Sequence, residues 1–229
     1  MIWRNRTSVV LACCAACLAL LSLIGWHFQV DLLIRWSDRW ATVHVVTAVA
    51  LLLQAFSLML VVSGCRRLWK DITISTIEVC SVLLVLLVLW ADNLNMETSY
   101  GGWLAWDPEL PSHKTIIEFL ILGYIGFRHC FSDLPYDYRK AGKLVMVLGV
   151  VGMVGYVADL PVLYGYLVAR SGAQAFPTAL AITLLGLGYA IGEHRSSCPF
   201  AIHCQEVECP ARTCKLKKSS PPPEEDTSA

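Results

Sequence analysis

Long apolar blocks constrain this chain more than any other feature of its sequence. A helix needs about 20 mainly apolar residues to cross the hydrocarbon core of a bilayer. Because unpaired backbone groups are costly in lipid, such segments are expected to be helical. The blocks therefore predict an all-α, polytopic integral membrane protein with six transmembrane helices, at residues 8–26, 41–65, 72–91, 112–132, 142–166 and 175–193.

The composition and the motif content point the same way. Hydrophobic residues make up 56% of the 229 residues and charged residues only 16%, which is too apolar for an ordinary water-soluble domain. The sequence contains no Walker A motif, no glycine-rich dinucleotide fingerprint and no recognisable catalytic triad. We therefore expect neither an enzyme nor a nucleic-acid-binding protein. No internal repeat is evident in the sequence.

The distribution of Lys and Arg predicts the orientation of the helices. Basic residues collect in the cytoplasmic loops of membrane proteins. If the N-terminus is cytoplasmic, only four of the 18 Lys and Arg residues fall on outer segments, namely Arg35, Arg39, Lys114 and Arg170. Both termini are therefore predicted to be cytoplasmic. The segment 92–113, between the third and fourth predicted helices, is predicted to face outward.

The C-terminal segment differs in composition from the rest. Residues 1–193 are predicted to form the transmembrane domain, and residues 194–229 a cytoplasmic tail that ends in "SSPPPEEDTSA" and is predicted to be disordered. The cysteines of this tail are not spaced like the ligands of a standard zinc site. Reduced thiols are the simplest interpretation, with metal binding or palmitoylation as alternatives. These cysteines are Cys198, Cys204, Cys209 and Cys214.

The outward segment contains an unusually aromatic sequence, "YGGWLAWDPELP", at residues 100–111. A belt of interfacial aromatic residues would explain isolated tryptophans. However, Trp103 and Trp106 are three residues apart and would share one face of a helical turn. The glycine pair before them permits close approach of a ligand, and the Asp-Pro pair after them sets a turn. The pattern favours a shaped aromatic platform over a simple belt.

This sequence resembles the tryptophan-rich "WG-x-x-W-x-WD" signature of the cytochrome c assembly proteins, a family of haem-handling membrane proteins. Gly101, Trp103, Trp106 and Asp107 match its core, whereas Tyr100 stands where a tryptophan is usual. The length and the six predicted spans are most like the CcmC branch of the family.

Two further segments extend the resemblance. In "ATVHVVTAV", His44 lies near the outward start of the second predicted span, as the first haem-ligand histidine of the family does. The segment "DLPVLYGY" is similar to the "LP-x-x-H" sequence of the family, with Tyr164 in place of the second histidine.

The resemblance implies that the protein binds b-type, non-covalent haem at the outer face of a bacterial inner membrane. It implies delivery to a periplasmic haem chaperone of the CcmE kind, in association with subunits of an ABC-type complex. His44 is then the expected axial ligand of the iron, and Tyr164 is a candidate for the opposite position because tyrosinate can ligate haem; His27 and His113 are alternatives. Cationic side chains would meet the haem propionates, and the candidates are Arg35, Arg39 and Arg170.

Two other functions remain open. Glu78, Glu118 and Asp159 lie in or at the edges of predicted spans, where ionisable groups are costly and usually face the bundle interior. A transporter or channel-like protein could use them, although interhelical hydrogen bonds are the simpler interpretation for Glu78 and Glu118. A scaffold subunit that keeps the fold without binding haem is the third possibility.

Overall fold

The computed structural model of the chain describes residues 2–37, 40–63, 68–93, 112–131, 138–164 and 173–192. Several residues predicted from the sequence lie outside this part of the chain. They are Gly101, Trp103, Trp106 and Asp107 of the aromatic platform, the cations Arg39 and Arg170, and the whole tail 194–229 with its four cysteines.

The described residues form helices and contain no strand, so the predicted all-α fold is confirmed for them. Within the described ranges there are eight helices, namely α1 (Ile2–Phe28), α2 (Asp31–Ile34), α3 (Val45–Val62), α4 (Leu68–Asn93), α5 (His113–Phe131), α6 (Tyr138–Val157), α7 (Pro161–Tyr164) and α8 (Phe176–Ile191).

Three of these helices are long and apolar enough to cross a membrane, by length and composition. They are the helical segments Trp3–Phe28, Val45–Val62 and Tyr138–Val157. Helix α8 is also apolar but is only 16 residues long. The other two predicted spans coincide with α4 and α5.

The fifth predicted span ends earlier than its apolar sequence indicates. Helix α6 stops at Val157, because Asp159 adopts a left-handed φ of 53°. The N–H of Leu160 then donates to the Gly155 carbonyl at 2.8 Å, and the N–H of Asp159 donates to the Tyr156 carbonyl at 3.4 Å. This pair of bonds is a Schellman motif, which satisfies carbonyls that a helix end would otherwise leave unpaired.

The chain after α1 folds in the same way as the chain after α6. Gln29 has a left-handed φ of 57°, and the N–H of Val30 donates to the Gly25 carbonyl at 2.8 Å. A one-turn helix follows each motif, α2 after α1 and α7 after α6. We call residues 25–34 the first turn segment and residues 155–164 the second turn segment.

The chain that returns from each turn segment is tied to it by a matching backbone bond. The N–H of Val43 donates to the Ile34 carbonyl at 3.1 Å, and the N–H of Gln174 donates to the Tyr164 carbonyl at 2.7 Å. Val43 and Gln174 each stand two residues before the helix that follows, α3 or α8. The two connections therefore have the same hydrogen-bonding pattern, although their sequences differ.

An aromatic side chain reinforces each connection. Trp26 donates from Nε1 to the Val43 carbonyl at 2.6 Å, and the Tyr156 hydroxyl donates to the Gln174 carbonyl at 2.5 Å. Trp26 and Tyr156 each directly follow the glycine that accepts the Schellman bond. We conclude that α1–α2–α3 and α6–α7–α8 are two copies of one structural unit, which the sequence did not reveal.

The second copy brings its two long helices together through glycine, whereas the first copy uses slightly larger residues. Counted from the matching turns, each of four glycines in the second copy has an alanine or serine counterpart in the first. The pairs are Gly142 with Ala12, Gly149 with Ala19, Gly152 with Ser22, and Gly186 with Ala55. All four glycines contact backbone or side-chain atoms of neighbouring elements closely.

The middle helices α4 and α5 pack against each other and join the two copies. Helix α4 also packs on α3, and α5 packs on both α3 and α6. The largest fully buried apolar side chains come from both copies and from the two middle helices, and they are Leu51, Leu58, Ile74, Phe119, Leu122, Ile125, Ile182, Leu185 and Tyr189.

Candidate functional site

Five aromatic rings meet where the two turn segments lie, and we call them the aromatic cluster. The Tyr164 ring stacks on the Tyr156 ring, with centroids 4.1 Å apart and an interplanar angle of 9°. Trp40 lies 5.2 Å from Tyr156 and 4.7 Å from Phe176 between centroids. Trp36 completes the group at 5.4 Å from Phe176. The three tilted contacts lie within the centroid distances of favourable aromatic pairs.

The connections of both copies contribute to this cluster. Trp36 and Trp40 stand on the chain between α2 and α3, whereas Tyr164 ends α7 and Phe176 begins α8. Tyr156 is buried, but Trp36 is 44% exposed and the remaining rings are half-buried. The cluster therefore combines a fixed base with ring surface that is open to a flat apolar ligand.

A buried polar group lies directly against the base of the cluster. Lys114 Nζ donates to Gln174 Oε1 at 2.7 Å and lies 3.5 Å from Glu118 Oε1. The Gln174 amide nitrogen donates to the other oxygen of Glu118. Gly152 makes room for these side chains, since a Cβ there would lie 2.6 Å from both Gln174 Oε1 and Lys114 Nζ. Lys114 thus neutralises a fully buried carboxylate.

This polar group also fixes the start of α5. Ser112 caps the helix by accepting the N–H of Thr115 at 3.1 Å, and Lys114 holds the first turn of α5 to Gln174. The backbone carbonyl of Gln174 in turn accepts a hydrogen bond from the Tyr156 hydroxyl. The residues that directly follow segment 94–111 are therefore attached to the aromatic cluster.

His44, the expected axial ligand, is the N-cap of α3. Its Nδ1 accepts the backbone N–H of Val46 at 3.2 Å, and its neighbour Val43 packs with Ala48 and Ala175. A neutral imidazole that accepts at Nδ1 carries its proton on Nε2. Ligation of a metal through Nε2 would require that proton to move to Nδ1, and the capping bond would then be lost. Burial lowers the pKa of His44 to about 4.

The pH dependence of stability should report the burial of His44, which lowers its pKa. The folded-state pKa of His44 is about 4, below the ordinary value of 6.5, so the unfolded chain binds more protons between these pH values. Stability should therefore fall as the pH is lowered from 6.5 towards 4, by about 3 kcal/mol in total. His44→Asn retains a capping acceptor and does not titrate, so its thermal midpoint should depend less on pH. The measurement is a thermal melt in detergent at several pH values.

A matched control for this experiment is His113→Asn. His113 is exposed at the start of α5, so this variant controls for the replacement of a histidine outside the buried start of α3. Parallel pH curves for the unchanged protein and His44→Asn would contradict the lowered pKa of His44.

The other predicted haem-contacting residues that the structure describes are spread around the same end. Arg35 lies one residue beyond α2 and pairs with Asp31, with Nη2 3.6 Å from the carboxylate. His27 contacts the ring of Phe28 edge-on at 4.8 Å. Tyr164 is therefore the predicted ligand that lies within the aromatic cluster, whereas His44 belongs to the adjoining start of α3.

A second buried carboxylate lies deeper in the bundle, between α3 and α4. Glu78 accepts the amide N–H of Gln54 at 2.6 Å and the hydroxyl of Ser57, and Gln54 also donates to Ser81 at 3.2 Å. Gly126 of α5 lies against this carboxylate, because a Cβ there would be 2.5 Å from Glu78 Cδ. Glu78 thus makes the interhelical hydrogen bonds that were the simpler sequence interpretation, whereas Glu118 bonds to Gln174 in the segment before α8. Asp159 is exposed in the second turn segment.

Sequence reasoning missed several residues that organise these sites. Gln54 and Gln174 are amides next to or within apolar blocks, and a buried amide needs hydrogen-bonding partners. That signal could have pointed to the two carboxylates. The pairing of Trp40 with Tyr156 had no such signal, since it depends on contact between distant parts of the chain. Among the described residues, no three His, Cys, Asp or Glu side chains form a group that could hold a metal ion.

The described residues offer ring surface that fits a porphyrin, but His44 would have to change its hydrogen bonding before it could bind iron. The aromatic cluster offers partly exposed rings, including the phenol of Tyr164, at the end of the bundle where segment 94–111 joins α5. His44 would have to exchange its capping bond to bind iron. Comparison of the chain with protein-family models, with curated proteins and with solved structures gives no match.

Proposed function

We propose that the protein binds haem at the outward face of a bacterial inner membrane and passes it to a periplasmic acceptor, as the cytochrome c assembly proteins do. In this proposal six helices cross the membrane and both termini are cytoplasmic. The haem is b-type and non-covalently bound, and the protein transfers it without chemical turnover. The partners are a haem chaperone of the CcmE kind and the subunits of an ABC-type complex.

One observation carries the proposal. The aromatic cluster contains Tyr164, the residue that replaces the second family histidine, and it lies beside the attachment point of the segment with the tryptophan signature. The link is the contact of Lys114, just after that segment, with Gln174 beside the cluster. The chain that directly follows the tryptophan signature is thus bonded to the segment next to Tyr164, which supports a shared site.

The proposed roles follow from the chemistry of haem, a flat apolar disc with two carboxylates and an iron that accepts axial ligands. The exposed rings of the aromatic cluster, together with Trp103 and Trp106, would cover the porphyrin. His44 or Tyr164 would ligate the iron. The propionates would meet cations near the same membrane surface, with Arg35, Arg39 and Arg170 as the candidates.

The visible absorption spectrum tests this function. Purified protein titrated with hemin should develop a saturable Soret band with one haem bound per chain. Tyr164→Phe should shift the band if the phenolate ligates the iron, and His44→Ala should weaken it. Trp103→Ala and Trp106→Ala should lower the affinity by about tenfold each, since stacking on a large apolar ligand contributes about 1–2 kcal/mol.

The control variant is Trp69→Ala. Trp69 is 79% exposed in the first turns of α4, far along the helix from segment 94–111, so its loss should leave the haem spectrum unchanged. A protein that remains colourless with hemin, or binds it equally in all these variants, would contradict the proposed site. The scaffold function would then be preferred.

A transport function is the second candidate, and the buried carboxylates favour it. Glu78 and Glu118 are both almost fully buried in a bundle with membrane-spanning helices, where ionisable groups often mark ion pathways. Each carboxylate already accepts a hydrogen bond from a glutamine elsewhere in the chain. These bonds are sufficient for a purely structural role. Solute flux into vesicles that responds to Glu78→Gln but not to Trp103→Ala would support transport over haem binding.

A further inference from the structure

The two turn segments expose large apolar side chains at matching positions. After α1 ends, Val30 and Leu32 are 41% and 69% exposed, and Leu160 and Val162 are 51% and 64% exposed after α6. Val30 corresponds to Leu160, and Leu32 corresponds to Val162, in the two copies of the unit. Exposed apolar area costs about 25 cal/mol per Å² in water, so this shared feature calls for an apolar environment around both segments.

These side chains continue the outer stripes of the helices that precede them. On α6 the exposed residues Val150, Val154 and Val157 follow helical spacing and lead directly to Leu160. On α1 the stripe runs through Leu21, Ile24 and Phe28. Both helices are long and apolar enough to cross a membrane, and the stripes are the surfaces that would face lipid. The apolar surface therefore does not stop where the helices end.

Several backbone groups of both turn segments are paired within the protein. Besides the Schellman bonds, the N–H of Leu33 donates to the Val30 carbonyl at 3.0 Å, and the N–H of Leu163 donates to the Leu160 carbonyl at 3.0 Å. The N–H groups of Val43 and Gln174 close the connections, as described above. Unpaired backbone groups are costly in lipid, so this internal pairing lowers the cost of placing both segments at the membrane interface, outside the hydrocarbon centre.

We propose that both turn segments lie within the bilayer at its outer interface, with Val30, Leu32, Leu160 and Val162 in contact with lipid acyl chains. The polar residues of the two turn segments set the depth of these segments in the bilayer. Gln29 and Asp159 occupy the left-handed positions, and Asp31 is paired with Arg35, so these groups lie at the headgroup level. The base of the aromatic cluster is then held at the membrane surface. This placement does not depend on haem binding.

Lipid fits these observations better than a protein partner does. The two segments belong to different copies of the unit and share apolar character at matching positions while most of their residue identities differ. A single partner, or a single segment of this chain, would have to recognise both. A bilayer surrounds both segments and requires only apolar surface at the same depth.

Depth-dependent fluorescence quenching tests the placement. A small fluorescent amino acid is introduced at position 32 or 162 of the full chain, which is then reconstituted in phosphatidylcholine vesicles with or without brominated acyl chains. Both probes should lose fluorescence in brominated lipid and resist iodide in the buffer. Probes at the neighbouring positions 31 and 159 should show the opposite preference.

A second measurement avoids substitutions altogether. The unchanged protein is reconstituted with a phospholipid that carries a photoactivatable diazirine in its acyl chain, and labelled peptides are identified by mass spectrometry. Labels on residues 28–33 and 160–163 support the placement. Quenching by iodide rather than by brominated lipid overturns it in favour of water, and the absence of both quenching and labelling overturns it in favour of a protein cover.

Discussion

Gly186→Ala is expected to destabilise the protein strongly, and more than Ala55→Gly at the matching position of the other copy. A Cβ on Gly186 would lie 2.8 Å from the Gly142 carbonyl oxygen and 2.9 Å from Met146 Cα, and closer still to the Met146 nitrogen. All three are backbone atoms, which cannot rotate away. Helices α6 and α8 would have to separate along their contact.

The expected cost of Gly186→Ala is about 3 kcal/mol, at the upper end for overpacking of a close interface. Ala55→Gly removes one buried methyl group and some helix propensity, at about 1 kcal/mol each. Both variants can be compared by thermal melts in detergent and by the yield of monodisperse protein. Equal losses in the two variants would show that α6 and α8 do not meet at the distance described.

The pair of variants also tests whether the two copies differ in packing as their small residues indicate. The first copy accommodates Ala12, Ala19 and Ala55, whereas the second has glycine at each matching position. Close helix approach through small residues is a common way to stabilise helix pairs in membranes. The second copy is therefore expected to be the more rigid of the two, and it is the copy that carries Tyr156 and Tyr164.

The apolar blocks predicted the long helices but placed the end of α6 too late. Helices commonly terminate at a glycine in the left-handed conformation, and here Gln29 and Asp159 take that position instead. The apolar residues Leu160 and Val162 then continue the sequence pattern past the true end of α6. Span prediction by hydropathy therefore extended the fifth block to residue 166.

The internal repeat was missed for a related reason. Its conserved feature is a set of backbone bonds, from Val30 to Gly25 and from Leu160 to Gly155, which different side chains can support. The aromatic partners are also of different types, Trp26 in one copy and Tyr156 in the other. A comparison of residue identities does not detect such a match.

The sequence predicted individual residues of the candidate site but not how they are arranged in the fold. The family resemblance selected Tyr164 and His44, and the structure places Tyr164 in the aromatic cluster. The sequence had no means of showing that His44 caps α3 through Nδ1, because a capping histidine and a ligand histidine occupy the same place beside an apolar block. The proposed haem contacts stay predictions for the motif residues of the signature, which are Gly101, Trp103, Trp106 and Asp107.

The second large effect is expected at Glu78. Its carboxylate accepts hydrogen bonds from Gln54 and Ser57 of α3, and all three side chains are at most 2% exposed. Glu78→Ala leaves two buried donors without their acceptor and opens a cavity, at a combined cost of about 4 kcal/mol. The measurement is again the thermal midpoint and the folded yield in detergent.

Two comparison variants separate the structural role of Glu78 from a role in transport. Glu78→Gln keeps an acceptor oxygen and the side-chain volume, so it should cost about 1 kcal/mol, and Val79→Ala, on the exposed side of α4, should cost less. If Glu78 only joins α3 to α4, a folded Glu78→Gln protein should retain full haem binding in the spectral assay. A stable Glu78→Gln protein that loses its function would instead show that the ionisable proton of Glu78 is needed, because hydrogen bonding and packing are then largely preserved.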